Sequence, residues 1–382
     1  MLFAFDDTQC RSLAETHGTP CFAYSGAVAE AQFRALRDVL PGRVRLAYAV
    51  KANPHPGLLA RFASLGASFD CASIGELGRV EALNLEPGRT FFAGPGKREA
   101  ELQKALAMGV RIQAEGFEDL ARIDALVDRE TAVNLRVHPA FDVSEGNRII
   151  GGSGPSAFGI DEEDVPALLA RAAQLRHVRI RGLHVFAASN QRDAAKLKTI
   201  HGAVLDLAKR LHEQHGLTFE QIDLGGGLGI PYAPEQAPLD LAAFGQGLSD
   251  LLGRHAWYKG ELILEPGRFL AGPCGVYLAR VVRIKESRGT RFAILEGGIN
   301  HLIRPLLTGE PFPVKAVGQG EGAAAHTLAG PLCTSLDRLG EVRLPELKAG
   351  DLLAFGSTGA YGLNEGMTHF LSHPVPPEIW VG

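Results

Sequence analysis

Short apolar runs rich in β-branched and aromatic residues recur over the first two thirds of the chain, separated by stretches with helical spacing. The runs are Arg45–Val50, Ser68–Ala72, Thr90–Ala93, Val110–Ala114, Thr131–Val137, Ile180–Phe186, Phe219–Leu224 and Glu261–Glu265. Helical patterns lie between them at Pro56–Leu65, Ile74–Leu83, Lys97–Met108, Phe117–Val127, Val165–Ala173, Ala194–His215 and Asp240–Leu252. Alternation of strand and helix implies parallel strands, because a parallel return needs a crossover. Eight such units over roughly 230 residues predict a (β/α)8 barrel.

After Pro273 the rhythm changes. Val276–Ile284, Arg291–Leu295, Pro313–Val317, His326–Ala329, Leu352–Phe355 and Ile379–Val381 read as strands with little helix between them. A second, mainly antiparallel β domain is expected. The division expected is a barrel over 30–272 and a β domain from 1–29 plus 273–382, since chain ends often meet.

The 382 residues are 46% hydrophobic and 21% charged, which supports an ordinary globular core and excludes disorder over most of the chain. The net charge of −4 has the wrong sign for a dedicated nucleic-acid binder. No run approaches the length of about 18 apolar residues that a membrane span needs. Met1–Cys10 has no basic segment of the secretory kind. The five cysteines are scattered without a CxxC pair. No disulfide framework or metal site is expected from spacing, and a cytoplasmic location is the expectation.

Barrel enzymes place their chemistry at the C-terminal strand ends. There the chain carries Lys51, Asp70, His184 and Ser189, then Gly225-Gly226-Gly227, then Glu265-Pro266-Gly267-Arg268. A lysine ending an apolar strand is either solvated or a candidate nucleophile toward a carbonyl. The glycine run suits a phosphate, or is merely a tight turn, and Asp223 just before it is placed to hold a neighbouring loop. A carboxylate such as Glu265 suits a heterocyclic nitrogen, the contact that keeps pyridoxal phosphate an electron sink. Arg268 suits a phosphate or carboxylate, or else a structural ion pair with Glu265. Taken alone, His184 reads as a core histidine, Cys333 as an inert buried thiol and Tyr361 as a packing residue.

Ala47-Tyr48-Ala49-Val50-Lys51-Ala52-Asn53, Phe69-Asp70-Cys71-Ala72-Ser73, Gly225-Gly226-Gly227 and Glu265-Pro266-Gly267-Arg268 together resemble the fold-type III pyridoxal-phosphate decarboxylases, the ornithine and diaminopimelate group. The resemblance runs in order over nearly the whole chain. It implies an alanine-racemase-like barrel, pyridoxal phosphate as cofactor, a small amino-acid substrate, and a homodimer with shared active sites. It also implies that Lys51 joins the cofactor covalently and His184 stacks on its ring. Asp70, Ser189, Gly225, Gly226, Gly227 and Gly267 then line its site, and Glu265 meets the ring nitrogen. Arg268 and Tyr361 match phosphate or substrate contacts. Cys333 matches a cysteine supplied by the neighbouring subunit to return a proton, and Asp337 the acidic position of the same loop. Arg304 is assigned to the substrate as a partner for a second carboxylate.

The sequence departs from that group where substrate is read. The loop is Cys333-Thr334-Ser335-Leu336-Asp337 instead of the Cys-Glu-Ser-Gly-Asp usual in diaminopimelate decarboxylases, and Thr308 stands where a tyrosine is expected. Phe92-Ala93-Gly94-Pro95-Gly96-Lys97 and Gly151-Gly152-Ser153 with Phe158-Gly159-Ile160 look more like a biosynthetic-cluster branch, which includes decarboxylases of siderophore intermediates. Decarboxylation of an amino acid, a diamino acid or an amino-acid conjugate is the leading expectation. Racemisation or epimerisation on the same scaffold and a non-catalytic regulatory homologue are the alternatives.

Overall fold

The computed structural model describes residues 2–141 and 154–382. Gly151, Gly152 and Ser153, part of the biosynthetic-branch resemblance, lie outside the described residues. Eight parallel strands close on one another: Val44–Ala49, Ser68–Cys71, Thr90–Phe92, Arg111–Ala114, Thr131–His138, Val178–His184, Gln221–Asp223 and Glu261–Leu264. Each pairs with the next, and the last returns to the first with Leu262 opposite Val44. This is the expected (β/α)8 barrel. The strands start and stop within a few residues of the apolar runs because burial on both faces makes each run continuously apolar.

The helices between strands begin where side chains cap them. Ser73 accepts from the Glu76 N–H, Asp193 from Ala195 and Lys196, and Asp240 from Ala243. Ala194–His215 stops at Gly216, which takes the left-handed conformation. Helices Asp7–His17 and Gly26–Val39 precede the barrel and were not read from the sequence. Among the described residues no helix is long and apolar enough to cross a membrane.

The chain divides into two compact units. One takes in Phe33–Gly229 and Pro238–Gly267, the other Met1–Gln32, Ile230–Ala237 and Arg268–Gly382. The second is built on the long strand Gly275–Ser287, which pairs antiparallel with Cys21–Ser25, Thr290–Leu295 and Leu352–Gly356. Val314–Ala316 adds to Leu352–Gly356, and Ala324–Ala329 pairs with Arg338–Leu344, both antiparallel. Two pairings are parallel: Thr290–Leu295 with Ala324–Ala329, and Cys21–Ser25 with Glu378–Val381. The sheet is thus mainly antiparallel, as expected. Two of its strands escaped sequence reading. Cys21–Ser25 is buried throughout and shows no alternation, while Arg338–Leu344 carries charges at its exposed positions.

Candidate active site

The first barrel strand ends at Ala49, and a single 3₁₀ turn, Val50–Ala52, carries Lys51 beyond it. The turn aims Lys51 Nζ at Asp70 Oδ2, 2.8 Å away near the end of the second strand. Lys51 is thus ion-paired while its side chain stays 35% exposed, and Asp70 is fully enclosed. Its ammonium also lies 5.8 Å from the centre of the Phe186 ring. Burial raises Asp70 above the usual carboxylate range, with the Glu265 charge adding to it and Lys51 opposing.

His184 closes the sixth strand, and Glu265 follows the eighth. Their side chains are both buried, with His184 Nε2 3.6 Å from Glu265 Oε2. Burial works against ionising Glu265, but His184 and Lys51 outweigh it and hold its carboxyl below the ordinary range. Asp223, at the end of the seventh strand, sits against the same group. Its Oδ1 accepts the Gly225 N–H at 2.9 Å, so it holds its own turn and not a neighbouring loop.

The glycine run is packed too tightly for side chains. A Cβ at Gly225 would lie 2.7 Å from Val185 O, at Gly226 2.5 Å from Glu265 O, and at Gly227 2.5 Å from Ala188 O. Gly225 and Gly227 also take positive φ, which favours glycine. Half-buried Ser189 lies on the loop that closes over this run. Gly267 has its own reason: a Cβ there would sit 2.9 Å from Ala52 Cβ and 3.1 Å from Ala49 Cβ, against the turn bearing Lys51.

Lys51, Asp70, His184, Ser189, Gly225, Gly226, Gly227, Glu265 and Gly267 thus belong to one barrel mouth. Four buried polar atoms there have no hydrogen-bond partner: Asp70 Oδ1, both His184 ring nitrogens and Glu265 Oε1. Orphaned polar atoms are costly unless a ligand meets them. An amine, an imidazole, a carboxylate held below its ordinary range and a turn of close-packed glycines fit a phosphorylated heterocyclic aldehyde. His184, Asp223 and Glu265 also bring side-chain nitrogen and oxygen atoms within 4.8 Å of one another, a proximity that sequence spacing did not show.

The second unit holds the other predicted residues. Arg268 donates to the Tyr232 hydroxyl at 2.7 Å and stacks 4.5 Å above the Tyr361 ring. Tyr361 is half-buried with φ of 54°, a constrained conformation for a tyrosine. Arg304 is buried, lies 4.4 Å from the Tyr232 ring centre and pairs with Glu310 at 2.7 Å, while its Nε has no hydrogen-bond partner. Tyr232 was missed because it stands in a short segment between two barrel elements. The expectation of a buried Cys333 is corrected: its thiol is exposed. Asp337 is buried, and its carboxylate accepts the N–H groups of Ile299 at 2.8 Å and Leu332 at 2.7 Å, bracing its own loop.

A family described as "Pyridoxal-dependent decarboxylase, pyridoxal binding domain" matches residues 27–272. Diaminopimelate decarboxylase of Pseudomonas aeruginosa is 37% identical over 356 residues, covering 92% of this chain and 85% of the relative. The L-glutamyl-(BtrI acyl-carrier protein) decarboxylase of Niallia circulans is 31% identical over 392 residues, covering 98% of this chain and 91% of the relative. Among solved structures, diaminopimelate decarboxylase from Helicobacter pylori complexed with L-lysine superposes with a TM-score of 0.88 at 26% identity, covering 97% of this chain and 94% of that one.

Proposed function

This chain belongs to the pyridoxal-dependent decarboxylases, and on that premise we propose that it removes the α-carboxylate of an amino acid or amino-acid conjugate at the mouth around Lys51. The enzyme is a carboxy-lyase that uses pyridoxal phosphate. When bound, that cofactor supplies the electron-withdrawing ring that takes up the electron pair of the breaking bond. The observation that carries the assignment is the Lys51–Asp70 contact at 2.8 Å in the same mouth as the buried His184–Glu265 pair at 3.6 Å.

Lys51 is the amine that holds the cofactor. Asp70, itself enclosed, orients that amine through the 2.8 Å contact. Glu265, ionised, keeps a proton at the ring nitrogen, and His184 lines the ring. Gly225, its N–H held by Asp223, shapes the turn, the amides of Gly226 and Gly227 and the Ser189 hydroxyl are assigned to the phosphate, and Gly267 lets the Lys51 turn seat close by. Arg268 and Tyr361 bind phosphate or substrate. Cys333, supplied by the partner subunit of a homodimer, returns a proton to the α-carbon, a role its exposure in the single chain suits. An ionised Glu265 at the ring nitrogen favours full electron withdrawal, and so argues against racemisation.

The substrate is read as carrying a second carboxyl or acyl group. The relatives named above act on diaminopimelate and on a carrier-bound L-glutamyl group, and both fit that description. Arg304 is the cation assigned to it, displacing half-exposed Glu310. The altered 333–337 loop favours a conjugate, as in siderophore-type biosynthesis, over free diaminopimelate. The free cysteines suit a reducing compartment, the cytoplasm.

Borohydride reduction of the purified enzyme followed by peptide mapping tests the assignment. Cofactor should be trapped on Lys51, and CO₂ should appear with at least one member of a panel of diamino acids, diaminopimelate isomers and carboxyacyl conjugates. Cofactor trapped on another lysine, or no CO₂ from any member, overturns it. Arg304→Ala should raise KM for the accepted substrate with kcat little changed. An unaltered KM removes Arg304 from the substrate site.

A further inference from the structure

His184, Asp223 and Glu265 crowd one buried spot, with ligand atoms all within 4.8 Å of one another. Two carboxyl groups this close in a dry site do not both ionise, because burial and mutual repulsion each oppose a second negative charge. The pair therefore shares a proton, and its surroundings decide where that proton stays. Glu265 has His184 Nε2 at 3.6 Å, and the field of Lys51 also favours its anion. The donors that reach Asp223 are neutral: the Gly225 N–H at 2.9 Å on Oδ1 and the Gln113 side-chain amide at 3.1 Å on Oδ2. A carboxyl oxygen of Asp223 lies within 4.8 Å of one of Glu265. Burial, and after it the Glu265 charge, pushes Asp223 well above the usual carboxylate range.

We propose that Asp223 is a positioning residue that stays protonated, donates its hydroxyl hydrogen to Glu265, and so keeps Glu265 both ionised and aimed. The inference rests on the reading of Glu265 as the partner of the cofactor's ring nitrogen. Gln113 acts as the brace beneath. It is fully buried, its Oε1 has no partner, and across the barrel sheet it stands opposite Asn134, another fully buried amide. If the Gln113 amide turns over, its oxygen can accept from an NH₂ group placed at position 223. An asparagine there would then meet every partner that a protonated aspartate meets. An ionised aspartate has no such mimic, and the test turns on that difference.

Three holoenzyme variants, Asp223→Asn, Asp223→Ala and Glu265→Gln, are followed by the absorbance of bound cofactor across pH and by its release on dilution. D223N should match the wild type in both. D223A should release cofactor about tenfold faster, as loss of a hydrogen bond to a charged group implies. Its acid limb in absorbance should also move to higher pH, because Glu265 then takes up a proton sooner. A role confined to holding the glycine loop would speed release without moving that limb. In the wild type minus D223N infrared difference spectrum, the stretch of a protonated carboxyl should appear at neutral pH. This arm decides the matter even if D223A does not fold. D223N behaving like D223A, absence of the carboxyl band, or an unmoved acid limb in D223A overturns the proposal. Failure of the Glu265 reading looks different: E265Q would then leave absorbance and release unchanged.

Discussion

At the scale of single residues, Asp223 and Glu265 respond to pH with opposite signs. Glu265 is held below its ordinary range, so it stabilises the fold above that range, and this contribution is lost as pH falls. Asp223 is raised, so the native state keeps a proton that the unfolded chain releases above 3.8, the ordinary value. Stability from this group is therefore complete below 3.8 and declines as pH rises, by up to about 1.4 kcal/mol per pH unit until the native group itself ionises. Asp223→Asn removes that decline. Urea midpoints of the two holoenzymes should diverge in favour of D223N between pH 5 and pH 8 (an assay range set by about where carboxylates and histidines titrate). A gap that stays constant with pH would contradict a protonated Asp223. Lys51 was legible at this scale, because a charge ending an apolar strand is conspicuous. Asp223 was legible only as a residue placed to hold a neighbouring loop, since nothing in Asp223-Leu224-Gly225 shows that its carboxyl faces another one about forty residues on.

At the scale of elements, the barrel was readable because each strand is an apolar run bounded by polar loops, and because the order strand–helix–strand leaves little choice of topology. Cys21–Ser25 was not readable: its partners, Gly275–Ser287 and Glu378–Val381, come from the other end of the chain. Tyr232 was hidden for the same reason, since Ile230–Ala237 leaves the barrel's sequence block to join the other unit. The contact between Gly267 and the 3₁₀ turn at Lys51 is an element-scale constraint with a measurable cost. Gly267→Ala puts a Cβ at 2.9 Å from Ala52 Cβ, closer than methyl groups pack, so the turn must shift. The expected result is about 1–3 kcal/mol less stability, as overpacked sites show, together with weaker retention of cofactor. Gly253→Ala is the control. It lies in the helix Leu241–Arg254 with nothing within 4 Å of the new Cβ, and should be neutral or slightly stabilising. Thermal melts and dialysis of both variants give the comparison, and equal behaviour would mean that the turn absorbs the methyl group freely.

At the scale of the whole molecule, the proposed chemistry needs two chains, because Lys51 is assigned to one subunit and Cys333 to its partner. The unit that carries Cys333 also exposes Leu306, Leu307, Leu336, Met367, Phe370, Leu371 and Val375. In the proposed homodimer a second copy would cover some of these side chains. Leu336 stands three residues from Cys333, so covering it would bring the thiol's loop into the interface. Mixed subunits then have a sharp expected outcome. Lys51→Ala homodimers lack the cofactor amine at both sites, and Cys333→Ala homodimers lack the proton donor at both. If each site takes Lys51 from one chain and Cys333 from the other, dissociating and reassociating the two variants makes half the dimers mixed. Each mixed dimer then places both lesions in one site and leaves the other intact, restoring about one quarter of wild-type activity from two nearly inactive proteins. Sites completed within a single chain would give no recovery on mixing, because every site would still carry one lesion. Chromatography of the mixture at assay concentration, showing dimers throughout, would assign that failure to the placement of Cys333 and not to lost assembly.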